Sequence, residues 1–303
     1  MRTGIYEKYL HNFKNIVTFT FAMKYDIERS SFSTDEEINQ LRELLISTFG
    51  TKKSSKFTQE FLKWQYSENP RGNVVSFNAW CEDGRMAGHY AAIPILMKLD
   101  GKETSGLLSL NTATHPDHQG NGLFTKLASA TYDFAKENGY KFVIGVANAN
   151  STYGFINKLG FYKVAPLEVK IGIGNAFKGF SIKDRNHCAY DDITLEWRLR
   201  CPSFSYSRKG NCIWSKRKEP LFKACLAPVP EGVKTESSEI PNKGSIFGLY
   251  VGIGIKPSGL YIDLPGFIKR SPFNLIFRDL TDGELPRITP DNIVFTLMDF
   301  DVA

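Results

Sequence analysis

The sequence predicts an α/β fold, α+β in character, built on a mixed sheet. Three observations lead there. Residues 112–146 read as a strand end, a glycine-bearing turn, an amphipathic helix and a second apolar strand. Upstream, two helices with start and stop signals precede a hairpin. At 303 residues the chain also exceeds one ordinary unit, and its second half weakly echoes the first.

The elements follow in order. Residues 1–23 read as an N-terminal extension: Ile16-Val17-Thr18-Phe19-Thr20-Phe21-Ala22 is short, broken by threonines and lacks a cleavage pattern. Met23 begins the first strand. Ser33-Thr34-Asp35-Glu36 reads as a capping box, with Ile38, Leu41, Leu45 and Phe49 on one helical face behind it. Phe57 to Tyr66 forms a second helix, stopped by Asn69-Pro70. Val74 to Trp80 and Gly88 to Leu96 form a hairpin through Glu82-Asp83-Gly84. The strand ending at Thr114 then meets His115-Pro116-Asp117-His118-Gln119-Gly120-Asn121-Gly122. The next helix carries Leu123, Leu127, Ala130 and Phe134 and closes at Asn138-Gly139, before the strand Phe142-Val143-Ile144-Gly145-Val146. Such a turn gathers unpaired N–H groups at a helix N-terminus, which binds anions.

Gln119-Gly120-Asn121-Gly122 resembles the Q/R-x-x-G-x-G/A motif of the GNAT acyl-CoA N-acyltransferases, with Phe124 where that motif ends in Gly or Ala. Asn148-Ala149-Asn150-Ser151, a helical run to Leu159, and Gly160-Phe161 resemble the segment that follows the fifth GNAT strand. The resemblance implies acyl-CoA as co-substrate, without a metal. It assigns the cofactor to Thr112, Thr114, Gln119, Gly120, Asn121, Gly122, Leu123, Phe124, Thr125, Asn148 and Ser151. Gly120 and Gly122 clear the way to the pyrophosphate, and Thr125 could add a hydroxyl. Asn148 and Ser151 could equally serve only as helix caps.

Attack of an amine on the thioester needs a neutral amine, donors for the oxyanion and sometimes an acid for the thiolate. Many GNAT enzymes place a Tyr four residues before the Gly of L-G-F; this chain has Ile156 there, so Tyr153 becomes the catalytic candidate. Among possible bases, His89, His115, His118, Asn111 and Glu168, none stands out; His89, on a strand bordering the acceptor site, is the second catalytic candidate with Tyr153. His118 is expected to face solvent or the cofactor. Tyr90, Asn111, Tyr206 and Trp214 are the candidates for binding the acceptor, the last two within a mixture of aromatic and basic residues that could stack a nucleobase or be a solvated hairpin.

The break near Ala165-Pro166 divides the chain into a GNAT domain, 24–166, and a smaller degenerate GNAT-like domain, 167–303, forming part of the acceptor site. Trp64, Trp80 and Pro94 are spaced much like Trp197, Trp214 and Pro228, while the second copy has no phosphate turn. Residues 229–244 read as a loop. A net charge of +6 suits anionic ligands without demanding a nucleic acid. Five cysteines with no C-x-x-C pair argue against a disulfide framework or a zinc site. No run approaches membrane-spanning length, so a cytoplasmic protein without membrane insertion is expected. Trp64 to Pro70, Gly88-His89-Tyr90 and Trp197-Arg198 are similar to two-domain GNAT proteins that acylate a dTDP-linked amino-dideoxyhexose in polysaccharide (lipopolysaccharide O-antigen) biosynthesis. That resemblance implies acetyl or 3-hydroxybutanoyl transfer to a dTDP- or UDP-linked amino sugar. A tandem aminoacyl transferase, a small-molecule amine acyltransferase and a CoA-binding sensor are the alternatives.

Overall fold

The computed structural model describes residues 24–51, 54–209, 211–216, 221–230, 246–264 and 272–300. The extension 1–23 and most of the loop expected at 229–244 lie outside the described residues. In chain order the elements are β1 (Asp26–Arg29), α1 (Asp35–Phe49), α2 (Gln59–Tyr66), β2 (Val75–Trp80), β3 (Met86–Leu99), β4 (Lys102–Thr114), a 3₁₀ turn (Pro116–His118), α3 (Leu123–Glu137), β5 (Phe142–Ala147), α4 (Ala149–Lys158) and β6 (Tyr162–Pro166). The second half continues with β7 (Glu168–Ile173), β8 (Asn186–Cys188), α5 (Asp192–Leu199), β9 (Tyr206–Lys209), β10 (Cys212–Lys216), β11 (Phe222–Pro228), β12 (Phe247–Ile253), β13 (Leu260–Asp263), β14 (Asn274–Asp279) and β15 (Ile293–Thr296). The capping box sits one residue later than the sequence suggested: Thr34 caps α1 and its partner is Glu37 at the third helical position. Thr58 caps α2 by accepting from the Phe61 N–H, which delays that helix to Gln59.

The strands β1 to β4 pair antiparallel in order, and β4 runs parallel to β5. The next position is taken by β14, antiparallel to both β5 and β6. The second half repeats the pattern: β9, β10 and β11 are antiparallel, β11 is parallel to β12, and β7 lies antiparallel between β12 and β13. The second half therefore lends one strand, β14, to the first. The strand following β6 in sequence, β7, enters the second array, and the strand following β13, β14, enters the first. The boundary expected at 166 thus separates stretches of chain that the sheet joins. The short strands β8 and β15 link β3 to β12 and make one continuous sheet.

The halves also meet at the two tryptophans of the echo. Trp64 of α2 and Trp197 of α5 stack with centroids 4.9 Å apart. Each indole N–H donates to the other residue's carbonyl, at 2.8 and 3.0 Å. Such reciprocity is the signature of a two-fold relation. The other correspondences suggested by spacing fall on non-equivalent strands, Trp80 on β2 against Trp214 on β10 and Pro94 on β3 against Pro228 on β11.

Two layers flank the first array. Leu123, Leu127, Ala128, Tyr132 and Ala135 of α3 bury one face against Tyr90, Ala92 and Val143. Ile38, Leu41, Phe61 and Leu62 of α1 and α2 bury the other, in a core that extends to Leu195, Ile213, Leu226 and Phe295 of the second half. Fully burying one such aliphatic side chain contributes about 1.5–3 kcal/mol, so this shared core couples the halves strongly. All five cysteines are free. No described helix is long and apolar enough to cross a membrane.

Candidate functional site

The turn between β4 and α3 has the geometry of an anion cradle. Gly120 and Gly122 both have left-handed φ values, 83° and 73°, which cost an L side chain about 1–2 kcal/mol. A Cβ on Gly120 would meet nothing within 4 Å, so the space over the turn is open. Gly122 caps α3 with no side-chain hydrogen bond. The N–H groups of Leu123, Phe124 and Thr125 find no acceptor among the described residues, as expected where an anion completes a helix start. The loop is stiffened from within: Asn121 Nδ2 donates to the His118 carbonyl at 3.0 Å, and the Thr125 hydroxyl to the Gly122 carbonyl at 2.9 Å. The open turn with its free N–H groups fits a pyrophosphate.

Next to this cradle the sheet opens. Parallel pairing of β4 with β5 ends at Ser109 and Gly145, although β4 continues to Thr114 and β5 to Ala147. Gly145 allows the close approach at the last pair, since a Cβ there would lie 3.2 Å from Ser109 Cβ. Past that point the backbone of Leu110 to Thr114 has no partner in β5, leaving room for an extended amide-bearing arm between the strands. Pairing of β3 with β4 shifts between His89 and Ala91, and Asn111 takes φ 48° at this bulge. A non-glycine residue held there is strained, and such strain clusters at functional sites.

The predicted cofactor residues occupy these two features. Thr112 and Thr114 lie on the unpaired end of β4, residues 119–125 form the cradle, and Asn148 and Ser151 stand where β5 passes into α4. Asn148 Oδ1 caps α4 by accepting from the N–H groups of Asn150 and Ser151 at 2.9 and 3.0 Å. Phe124 turns away from the cradle into the seam between α3 and α4. Its ring meets Phe155 edge-on at 5.2 Å and lies against Gly154, where a Cβ would be 2.8 Å from it. Glycine at 154 thus accompanies the aromatic at 124.

The catalytic and acceptor candidates fare unevenly. Tyr153 is 67 % exposed on α4. His89 is fully buried, bonded through Nδ1 to Asn78 Oδ1 at 2.6 Å and through Nε2 to Tyr66 Oη at 3.0 Å. Burial denies it access to a reacting amine and holds its pKa down to about 3, so it stays neutral. Tyr90 points to the opposite face, as strand alternation requires, and bonds to Tyr132 at 2.6 Å and Ser109 at 2.8 Å under α3. It is buried packing and not an acceptor contact. Tyr206 pairs with Ser215 and Trp214 with Ser207, which puts the two aromatics on opposite faces of one ladder. Trp214 is buried beside Phe177 and Tyr250, so the pair forms no common stacking pocket. His118 is half-buried, its ring held by Tyr25 Oη and Cys81 Sγ at 3.0 and 3.5 Å. Asn111 stands at the opening itself. Its partners Gln65 and Tyr66 are the residues sequence reasoning missed. The signal available was a glutamine on the apolar side of a helix, three residues after Leu62. Among the described residues no group of three or more His, Cys, Asp or Glu could hold a metal.

Residues 30–165 match the family of acetyltransferase (GNAT) domains. The comparison with curated proteins finds no match. Among solved structures, a GCN5-related N-acetyltransferase from Anabaena variabilis superposes with TM-score 0.56 at 12 % identity, over 85 % of this chain and 74 % of that one. Eis1 from Mycobacterium abscessus gives 0.54 at 8 %, over 90 % and 82 %. A probable N-acyltransferase of unknown function from Enterococcus faecalis gives 0.54 at 9 %, over 85 % and 73 %. At these identities the likeness is one of fold, and it reaches well past residue 165 into the second half. The cradle and the opened strands lie within the residues that match the acetyltransferase (GNAT) family, and together they support an acyl-CoA-dependent N-acyltransferase.

Proposed function

We propose that this chain transfers a short acyl group, acetyl or 3-hydroxybutanoyl, from CoA to the amine of a dTDP- or UDP-linked amino sugar. The observation that carries the transfer is the pairing of an uncapped, glycine-cleared helix start with β4 and β5 parted at Ser109 and Gly145. The pyrophosphate would lie on the N–H groups of 123–125 and the pantetheine amides along Leu110 to Thr114. The thioester then comes to the bulge at Asn111, where the acceptor nitrogen attacks it. The nucleotide-sugar acceptor rests on sequence resemblance. With Tyr206 and Trp214 on opposite faces, recognition of a base would fall to other residues. Thiolate is a good enough leaving group that Tyr153 need not protonate it.

The test is CoA release on incubation with acetyl-CoA or 3-hydroxybutanoyl-CoA and a panel of amines. Release with dTDP- or UDP-linked amino sugars alone establishes the acceptor. Release only with free amino sugars, aminoglycosides or peptide amines keeps the transferase and replaces the acceptor.

A further inference from the structure

Behind Asn111 lies a buried line of polar side chains that the transfer of an acyl group does not by itself explain. Asn111 Nδ2 donates to Gln65 Oε1 at 2.6 Å and to Tyr66 Oη at 3.1 Å. Tyr66 Oη meets His89 Nε2 at 3.0 Å, His89 Nδ1 meets Asn78 Oδ1 at 2.6 Å, and Asn78 Nδ2 donates to Ser30 Oγ at 2.6 Å. Gln65, Tyr66, Asn78 and His89 are each 0 % exposed.

The directions of these bonds follow from the far end. Because the Asn78 amide nitrogen donates to Ser30, its oxygen accepts, and His89 Nδ1 must carry the proton. His89 Nε2 then accepts from the Tyr66 hydroxyl, whose oxygen in turn accepts from Asn111. Both N–H groups of the Asn111 amide are spent, so the amide cannot flip without breaking two bonds. Its Oδ1 has no partner among the described residues. What the line presents at the opening of β4 and β5 is one fixed, uncharged acceptor, on a residue strained to φ 48°. A buried polar line is costly unless every member is satisfied, and its open end is where a ligand would complete it.

We propose that Asn111 Oδ1 accepts an N–H of the acceptor amine beside the thioester, and that Gln65, Tyr66 and His89 are positioning residues that aim it. This rests on the acyl-transfer reading. The amine nitrogen forms the C–N bond, the C–S bond breaks, and the proton given up by nitrogen returns to the thiolate through water, leaving neutral CoA thiol and an amide. An uncharged acceptor holds the neutral, nucleophilic amine without favouring ammonium as a carboxylate would. The line ends in an amide, so it orients and does not conduct. No charged group faces the His89 ring among the described residues; Asn78, Tyr66 and the edge-on Phe32 ring at 5.4 Å surround it.

The test compares Asn111→Ala, His89→Phe and His89→Gln in the full chain, with the best amine of the panel and with hydroxylamine as a minimal acceptor. Glutamine can accept from Tyr66 and donate to Asn78, as neutral histidine does. Asn111→Ala and His89→Phe are expected to raise the acceptor KM about tenfold with acetyl-CoA affinity unchanged, while His89→Gln restores it. Equal loss of kcat in both His89 variants would make His89 a base and overturn the proposal. Parallel loss of CoA affinity would make the line merely structural and overturn it too. Imidazole ¹⁵N spectra give an answer without any acceptor: a neutral Nδ1–H tautomer from pH 5 to 8 is expected, and titration within that range overturns the scheme. A wild-type protein that binds CoA but acylates no amine, hydroxylamine included, would overturn the transfer reading itself. Turnover with an unaltered acceptor KM in Asn111→Ala would overturn this proposal alone.

Discussion

A histidine buried away from any counter-charge must fold neutral, and this gives His89 a second, measurable property. Its pKa is about 3 in the folded protein against an ordinary 6.5. Between those values the unfolded chain binds the extra proton, so stability falls as pH drops through this window, by roughly 1 kcal/mol per unit. His89→Gln should remove that component, as urea denaturation of both proteins at pH 7 and pH 5 would show. At the cradle, Gly120→Ala should keep the fold at a strain cost of about 1 kcal/mol, because the added methyl meets open space. The same methyl would stand where a phosphate must approach, so calorimetry should show CoA affinity falling about tenfold or more. These two residues also mark what sequence can disclose. The role of Gly120 is written in its immediate neighbours. That of His89 depends on Asn78 and Tyr66, which arrive from other elements, and on a burial that no local pattern announces. The placement of Tyr206 and Trp214 was illegible for a related reason: strand register, fixed only by pairing, sends them to opposite faces.

Among the elements, α3 was legible from end to end, since its apolar spacing, glycine start and Asn138-Gly139 stop all agree. The helices α2 and α5 show where legibility ends. Their sequence echo pointed to Trp64 and Trp197, yet the same spacing misaligned Trp80 and Pro94, because loop lengths differ between the halves. The tryptophan pair makes its own prediction. Trp64→Phe and Trp197→Phe each remove one of the two reciprocal hydrogen bonds, which costs about 0.5–1.5 kcal/mol. The double variant should lose less than the sum, since both act on one stacked contact. Equilibrium denaturation of the three proteins checks this, and strict additivity would mean that the tryptophans act separately.

At the scale of the whole molecule, the mixed sheet and its flanking helices were evident in the sequence, whereas the crossing of β14 into the first array was not. Its apolar run Leu275-Ile276-Phe277 is ordinary for a strand, and nothing in its composition says which gap it fills. Residues 24–166 expressed alone would lack the strand between β5 and β6. They should yield no cooperative unfolding transition and no CoA binding, while the full chain should melt as one unit in calorimetry. The crossing of β14 also imposes an order in time. A ribosome makes the CoA cradle early, but the wall beside β5 waits for residue 279. Until then the nascent chain carries two unpaired strand edges, which are sites for mispairing. Synthesis of this protein therefore includes an interval, more than a hundred codons long, in which its first array exists and cannot finish folding.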